Sequence, residues 1–293
     1  MKISFIVTSV KIVPELTCLI TEILKQSRSE PEIDFQLVTV TQFSNVLMKD
    51  FENQLKEDYT SIIHINTDGR FGYFSTFNLA LEQKEIIDSD LFVFMNDDII
   101  IPSNFLNVIK QSTLDRGILY APLVRKINAA IQLSVFRKNY SKLTMFFRFY
   151  DEGLYSKVGR LLRTLDTKTE NINRNRYTVF GCCFIMNQTA VTQMGKFDDR
   201  IFLYYEEVFL FAMVRKFNWE CKVLTNLSIN HRGGATTTRR FTPIRSHMDK
   251  QSAIYVAKEY LGFNRTQLLI LRMYKLLEIF SRQLISLISK GLD

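Results

Sequence analysis

Apolar and polar residues alternate with changing period along the first hundred residues. Nearly continuous apolar runs, as in ISFIVTSV (3–10) and DLFVFMN (90–96), are typical of strands that are covered on both faces. Between them, PELTCLITEILKQSR (14–28) places its apolar residues on one helical face and begins with proline. The same two patterns predict strands at 34–40 and 61–66 and helices at 44–58 and 75–87. This alternation predicts a parallel sheet with helices on both faces.

After residue 100 the pattern becomes looser. It predicts further helices at 103–112, 188–195 and 206–217, and strands at 117–124, 179–187 and 221–230. Residues 125–176 are polar, basic and aromatic, and they carry no clear sheet pattern. We therefore predict one domain over 1–241, with a variable basic segment at 123–176, and a helical extension over 242–293.

The extension has a helical pattern of its own. Within 266–290, polar residues recur every three or four positions, and the other positions are mostly Leu, Ile, Met and Phe. The polar set is Arg272, Lys275, Glu278, Arg282, Ser286 and Ser289. Such a helix is amphipathic with basic residues on its polar side, which fits packing on its own domain and membrane contact equally well.

The net charge of +8 is concentrated in two segments. Residues 123–176 contain 12 Lys and Arg against 4 Asp and Glu, and residues 232–293 contain 11 against 4. Nucleic acid, an anionic membrane face or a phosphorylated substrate could each attract such a surface. No recognised nucleic-acid motif accompanies the basic segments, so we expect no nucleic acid partner.

The cysteines and the apolar runs bound the cellular setting. The four cysteines form no CxxC pair, which is typical of buried thiols in a reducing compartment. The N-terminal MKISFIVTSV has the pattern of a first strand rather than of a signal peptide. No stretch approaches about 18 uncharged apolar residues, so we expect no spanning helix.

Three polar residues interrupt the apolar run FVFMNDDIII at 92–101. Asn96, Asp97 and Asp98 follow a predicted strand, and ligands of open parallel α/β sheets bind beyond the carboxyl ends of strands. Side chains alternate along an extended chain, so Asn96 and Asp98 should project to the same side. An amide oxygen and a carboxylate that point together suit a hard cation such as Mg²⁺ or Mn²⁺. Two acids after a strand are also common in turns.

Three further stretches carry candidate chemistry. In NTDGRFGYFSTFNLA (66–80), glycines would let the backbone approach a ligand, and Arg70 suits a phosphate. In GKFDDRIFLYYEEVFLF (195–211), Glu206 and Glu207 open a helix, either as a general base or as acids that favour the helix dipole. His231 follows a strand and could complete a metal site, although a lone histidine is usually structural.

These segments occur in the order found in one enzyme family. The chain resembles a family 2 glycosyltransferase with the GT-A fold, near the bacterial rhamnosyl- and galactofuranosyltransferase-like branch. The matching segments are ISFIVTSV, NTDGRFGYFSTFNLAL, FMNDDI (for the DxD signature), GKFDDRIFLYYEEVFL and INHRGGATT. They span about residues 3–236. The resemblance implies an α/β fold of GT-A type, with a mostly parallel central sheet, helices on both faces and a C-terminal helical extension.

The resemblance also implies site roles. Asp98 would be the main metal ligand, His231 a second, and Asn96 stands in the place of the first DxD acid. Glu207, with Glu206 beside it, would be the catalytic base. The expected donor-binding residues are Thr8, Arg70, Phe71, Asn78 and Asp97, and the expected acceptor-side residues are Tyr204 and Tyr205.

The implied activity is inverting, metal-dependent transfer of a hexosyl or deoxyhexosyl group. The donor would be a UDP- or dTDP-linked sugar, the metal Mg²⁺ or Mn²⁺, and the acceptor a saccharide. Related enzymes often use lipid-linked acceptors in the synthesis of bacterial capsule, O-antigen or exopolysaccharide. We therefore expect a cytoplasmic protein that is peripheral on the inner face of the cell membrane.

The chain departs from the family pattern at several positions. Asn96 removes one charge from the DxD signature, Glu207 is one methylene longer than the usual Asp, and Phe209 replaces an acid. The usual Asp-Asn-x-Ser after the second strand is TQFS (41–44) here. These changes leave open a noncatalytic relative that binds nucleotide sugars or acts as a scaffold. A sugar nucleotidyltransferase would need a glycine-rich basic loop after strand one, and TSVKIVPEL (8–16) is not one.

Overall fold

The computed structural model describes residues 1–43, 62–67, 69, 72–112, 118–126, 131–132, 179–232 and 243–290 of the chain. The helix predicted at 44–58 and most of the basic segment at 123–176 lie outside these ranges. Arg70, Phe71 and residues 233–242 also lie outside them.

The strands of the described ranges form one sheet. In chain order they are β1 (Lys2–Ser9), β2 (Asp34–Thr41), β3 (Ile62–Asn66), β4 (Leu91–Asn96), β5 (Ile99–Ile100), β6 (Ile118–Lys126), β7 (Ile131–Gln132), β8 (Cys183–Asn187) and β9 (Glu220–His231). Their order is β3-β2-β1-β4-β8-β6-β9-β5, and β7 pairs with β6. The first four strands of that order are parallel, whereas β8 is antiparallel to both of its neighbours.

Helices accompany the strands throughout the described ranges. They are α1 (Pro14–Ser29), α2 (Tyr73–Leu81), α3 (Phe105–Gln111), α4 (Gln188–Met194), α5 (Glu206–Lys216), α6 (Pro243–Glu259) and α7 (Arg265–Lys290). Helix α2 begins two residues before its predicted start at 75 and ends at Leu81, and a short 3₁₀ turn follows at Lys84–Ile86. In the part of the chain that the structure describes, no helix is long and apolar enough to cross a bilayer.

The sheet buries an apolar core on each face. On one face, alternate strand residues such as Ile6 and Phe94 pack with α2, α5 and α6. On the other face, the intervening residues such as Phe5 and Val93 pack with α1 and α3. Because side chains of a strand alternate between faces, a strand covered on both sides is apolar at every position. This architecture confirms the predicted fold class.

The strand predicted at 179–187 is shorter than its apolar run. Only Cys183–Asn187 pairs as β8, and the residues before it form a largely buried turn. The Asn96 N–H donates to the Cys182 carbonyl at 2.9 Å, so this turn lies directly beside the end of β4. The apolar run predicted burial, but burial alone does not distinguish a strand from a packed turn.

The C-terminal helices contribute to the same core as the sheet. Val256 of α6 and Leu271 of α7 are fully buried in the cluster that contains Phe94. Residues on both sides of position 241 therefore share one core. A domain boundary at this position stays a prediction.

Asp198, in the segment that leads to α5, holds α6 in place. Tyr255 and Tyr260 each donate a phenolic O–H to its Oδ2, at 2.6 and 2.5 Å. The Arg200 Nε–H donates to its Oδ1 at 2.8 Å. Burial by itself would raise the pKa of Asp198, but the hydrogen bonds from Arg200 and the two tyrosines outweigh it and lower the pKa to about 2. We call this group the Asp198 clasp.

We predict that Asp198→Asn destabilises the protein by about 1–3 kcal/mol at neutral pH, because it removes charge-assisted hydrogen bonds. The folded pKa lies below the ordinary value of about 3.9, so the contribution is complete above about pH 4 and is lost as the pH falls toward 2. Urea unfolding at several pH values would therefore show the wild-type advantage shrinking below about pH 4.

The matched control for this experiment is Asp199→Asn, because Asp199 is the adjacent, exposed acid. It should leave the unfolding free energy within about 0.5 kcal/mol of wild type. Equal stability of the two variants at neutral pH would contradict the role of the clasp.

Candidate active site

The polar residues after β4 lie in a turn and not in the strand. Strand β4 ends at Asn96, Asp97 and Asp98 turn the chain, and β5 begins at Ile99. The alternation that placed Asn96 and Asp98 on one side therefore stops at Asn96. The residues that follow the turn are also fixed, because β5 pairs with the end of β9.

Asp97 is almost fully buried at this turn. The Ser9 hydroxyl at the end of β1 donates to Asp97 Oδ2 at 2.5 Å. Burial raises the pKa of Asp97 to about 7, the Ser9 hydrogen bond opposes this rise, and the charge of Asp98 adds to it. Two neighbouring buried carboxyl groups form a site that a cation would stabilise.

Asp98 and His231 meet at the edge of the sheet. Ile99 pairs with His231 between β5 and β9, and His231 Nε2 lies 3.3 Å from Asp98 Oδ1. The Arg232 N–H donates to the Asp98 carbonyl at 3.1 Å, which fixes the backbone at the same place. The structure thus brings together the two residues that the sequence offered as metal ligands from positions 133 residues apart.

The donor set at this turn fits a hard divalent cation. Asn96 Oδ1 is buried and accepts no hydrogen bond from the residues that the structure describes. Together with the Asp98 carboxylate and the His231 imidazole, it offers two oxygen ligands and one nitrogen ligand. Among the described residues, no group of three or more His, Cys, Asp or Glu side chains is arranged for a metal, so a third ligand from these residues would have to be of another type, as an amide oxygen is.

The pair Glu206 and Glu207 opens helix α5 from a strained turn. Tyr204 and Tyr205 have φ of 67° and 66°, a left-handed conformation that costs aromatic residues about 1–3 kcal/mol each. Glu206 Oε1 accepts a hydrogen bond from the Tyr204 N–H at 2.7 Å, which ties Glu206 to this turn. Glu207 is 8% exposed, so its carboxylate is held in a partly dehydrated position. Strain of this kind often marks a functional site.

Gly181 and Cys182 connect the two acidic groups. A Cβ added at Gly181 would lie 3.2 Å from Glu206 Cβ and 3.7 Å from Glu207 Oε1, so its backbone packs against both side chains. Burial raises the pKa of the Cys182 thiol, and the charges of Cys183, Asp98 and Glu207 raise it further. Cys182 is therefore a neutral, buried thiol beside this joint. Cys183 and Cys221 are buried as well, as the sequence predicted, whereas Cys18 is exposed.

Tyr73 is a site residue that the sequence did not single out. Its hydroxyl donates to the Gly181 carbonyl. Burial raises the pKa of Tyr73 well above its ordinary value, and the charge of Glu206 contributes next. Tyr73 thus fixes the turn that carries Gly181. An aromatic residue at a helix start gives no sequence signal for this role.

The residues predicted around a donor are placed as follows. The Thr8 hydroxyl at the end of β1 donates to Thr76 Oγ1 at 2.8 Å, and Thr8 pairs with Asn96 across the sheet. The Asn78 side-chain amide N–H donates to the Phe197 carbonyl, and Asn78 Oδ1 accepts from the Phe197 N–H, both at 2.9 Å. Contact of Thr8, Asp97 and Asn78 with a donor stays a prediction, as does contact of Tyr204 and Tyr205 with an acceptor. Arg70 and Phe71 lie outside the described residues.

Gly72 is required by a close contact within the protein. A Cβ at this position would lie 2.9 Å from Phe202 Cα and 3.0 Å from the Phe202 carbonyl oxygen. The Tyr73 N–H donates to that same carbonyl at 2.9 Å. The glycine is needed because helix α2 begins directly against the 195–211 segment, which the sequence pattern could not show.

A cavity of about 340 Å³ is lined mainly by residues of α1 and by the segment Asp98–Ile101. Glu15, Cys18 and Arg232 are among its lining residues, and Asp98 reaches it as well. Thr8, Asp97 and Glu207 do not line it, so we do not assign the site to this cavity.

Comparison with known proteins supports the architecture. No protein-family model and no curated protein matches the chain. Solved structures do match. A mannosyltransferase from Pyrobaculum calidifontis, PcManGT, in complex with GDP-Man and Mn²⁺, has a TM-score of 0.56 at 11% identity, over 99% of this chain and 79% of its own. S. aureus TarS 1-349 has a TM-score of 0.52 at 13% identity, over 96% and 72%.

A third similar structure is GalNAc-T7 with UDP, GalNAc and Mn²⁺. Its TM-score is 0.58 at 12% identity, over 94% of this chain and 54% of that chain, so this protein spans about half of GalNAc-T7. Together with the sheet order, these similarities define the architecture. The fold is of the GT-A type. Identities this low show the fold alone.

We predict that Asn78→Ala destabilises the protein by about 2–3 kcal/mol, because it leaves the buried Phe197 N–H and carbonyl without their partner. The melting temperature of the variant measures this loss. Asn107→Ala is the control, since Asn107 Oδ1 accepts its hydrogen bond from the exposed Gln111 side chain on the surface of α3. Equal melting temperatures of the two variants would contradict the role of Asn78.

Proposed function

We propose that the protein is an inverting, metal-dependent glycosyltransferase. It transfers a hexosyl or deoxyhexosyl group from a UDP- or dTDP-linked sugar to a saccharide acceptor. The observation that carries this proposal is the joint between the end of β4 and the start of α5: the Asn96 N–H donates to the Cys182 carbonyl, and the adjacent Gly181 packs against Glu206 and Glu207. A cation site and a buried carboxylate base then border the same space, as transfer from a diphosphate leaving group requires.

The similar structures support the donor class. TarS has also been solved in complex with UDP, GalNAc-T7 with UDP, GalNAc and Mn²⁺, and PcManGT with GDP-Man and Mn²⁺. Nucleotide-diphosphate sugars are therefore bound by proteins of this fold. We place this chain in family 2, near the rhamnosyl- and galactofuranosyltransferase-like branch, on the motifs in which it resembles that family.

The residues at the end of β4 would hold Mg²⁺ or Mn²⁺. Asp98 and His231 supply two ligands, and Asn96 supplies an amide oxygen where relatives have a carboxylate. When bound, the cation supplies positive charge for the diphosphate leaving group. With Asn96 the site carries one negative charge fewer than a DxD site, so we expect weaker metal binding.

Glu207 is the proposed general base. Its carboxylate takes the proton from the acceptor hydroxyl while that oxygen attacks the anomeric carbon opposite the leaving diphosphate. Glu206 lies beside it, but its carboxylate is bonded to the backbone of Tyr204. We assign the role to Glu207 because it stands where the family that the chain resembles has its base, the Asp of the Glu-Asp pair. Positioned general bases typically contribute about 10²–10⁴ in rate.

The donor and acceptor contacts complete the proposal. Thr8 and Asp97 would border the nucleotide and sugar, with Arg70, Phe71 and Asn78 nearby. Tyr204 and Tyr205 would lie on the acceptor side. We propose a lipid-linked acceptor and a role in bacterial surface polysaccharide synthesis, which places the protein on the cytoplasmic face of the membrane.

We predict that Glu207→Gln lowers turnover about 10²–10⁴-fold while UDP or dTDP binding is retained, because the amide cannot accept the proton. Donor hydrolysis across a panel of nucleotide sugars measures turnover, and calorimetry measures binding. Glu206→Gln is the matched control and should lower turnover far less. Near-wild-type turnover of Glu207→Gln, or an equal loss in both variants, would contradict the assignment.

We predict that Asp98→Ala and His231→Ala each weaken Mn²⁺-dependent binding of UDP or dTDP about tenfold or more, because each removes a ligand. Calorimetry with and without Mn²⁺ measures the effect, and Asp88→Asn is the control, because Asp88 is an exposed acid that precedes the amino end of β4. Unchanged affinity in both variants would refute the metal site. Binding without hydrolysis in the wild type would favour the noncatalytic alternative.

A further inference from the structure

Helix α7 presents an apolar stripe to solvent. Six large apolar side chains are between 52% and 66% exposed, and they recur at intervals of one, three and four residues along one helical face. They are Leu269, Ile270, Met273, Leu276, Leu277 and Phe280, which we call the α7 stripe. The sequence continues the same spacing with Leu284 and Leu287.

The opposite face of α7 packs on the protein and contains Lys275 and Glu278. Leu271 is fully buried in the core, and Lys275 is 3% exposed. The Lys275 ammonium lies 2.6 Å from Asp249 of α6 and 3.0 Å from Glu278. The sequence pattern predicted an amphipathic helix but left open which side packs on the protein. The structure places Lys275 and Glu278 inward and the apolar stripe outward, which reverses the usual orientation of an amphipathic helix.

An outward stripe of this size requires an occupant. Monomeric soluble proteins rarely expose large contiguous apolar patches, and such patches usually mark an interaction surface. Helix α7 is attached through Leu271 and the buried Lys275 ion pairs, so it cannot turn the stripe inward without breaking these contacts. The stripe is therefore a fixed feature of the fold.

The charges around the stripe identify the kind of occupant. Arg265 and Arg272 are exposed on α7 beside it. Glu278 is the one acid in the sequence of this helix, and it is turned inward to Lys275. The outward half of α7 thus combines apolar and positive groups. This combination suits an interface with anionic headgroups above acyl chains.

A second copy of the chain suits the stripe less well. In a two-fold dimer the same surface meets itself, so the arginines of both copies would border one seam with no acid of α7 opposite them. We propose that the α7 stripe docks the protein on an anionic lipid surface, with the helix lying in the plane of the interface. This surface is independent of the chemistry at the end of β4.

Vesicle flotation of the full chain tests the proposal. Wild-type protein should float with vesicles of phosphatidylcholine and phosphatidylglycerol, and it should bind less to phosphatidylcholine alone and less at high salt. Leu277→Glu and Phe280→Glu should each weaken binding about tenfold or more, since an ionised group must enter the interface. Arg272→Gln should weaken it about fivefold on the mixed vesicles only.

The control is Ile87→Glu, because Ile87 is an isolated apolar residue that is 54% exposed far from α7 in the chain. It should bind vesicles as the wild type does. All variants should keep the wild-type melting temperature and donor hydrolysis in solution, which separates lipid docking from the proposed chemistry. Wild-type flotation of both stripe variants would overturn the proposal. A lipid-free dimer that Leu277→Glu dissociates would overturn it in favour of a second copy.

Discussion

The hydrogen bond from the Asn96 N–H to the Cys182 carbonyl is the contact on which the candidate site depends. It joins the last residue of β4 to the turn before β8, at 2.9 Å. Because β8 is antiparallel to β4, its amino end lies at the sheet edge where β4 has its carboxyl end. Gly181 precedes Cys182 and packs against Glu206 and Glu207, so this single joint brings the start of α5 beside the polar turn. A parallel strand in the place of β8 would begin at the opposite edge and would leave the two acidic groups apart.

This edge concentrates charge that the fold itself does not require. Asp97, Asp98 and Glu207 are each less than one tenth exposed. Burying carboxylates is unfavourable unless hydrogen bonds, counter-charges or cations compensate. Ser9 and His231 provide part of this compensation, and the strained turn at Tyr204 and Tyr205 adds a further unfavourable term. Several unfavourable features at one place are characteristic of a site maintained for function rather than for stability.

The sequence was informative where one physical signal dominates. Runs that are apolar at every position predicted the buried strands, and helical periodicity predicted α1 and α5 closely, because burial on two faces or on one leaves a distinct period.

The sequence was less informative where a residue acts through tertiary contacts. Gly72 suggested a ligand, yet its space is taken by Phe202, and the run before β8 is a turn. Tyr73 gave no signal, since its role comes from a bond to Gly181, 108 positions away. Periodicity also described α7 as amphipathic, but it could not say which side faces the protein.

The contacts of the C-terminal helices fix the orientation of α7 relative to the candidate site. Lys275 attaches α7 to Asp249 of α6, and the Asp198 clasp attaches α6 through Tyr255 to the segment that leads into α5. Each attachment is a charge-assisted contact at or below 3.0 Å, and the helices share one apolar core with the sheet. A lipid surface that holds the α7 stripe would therefore also orient α5 and Glu207. Under the proposed function, an acceptor carried on that lipid surface would meet Glu207 at a set height and angle. This would give a transferase a physical reason to expose an apolar helix face.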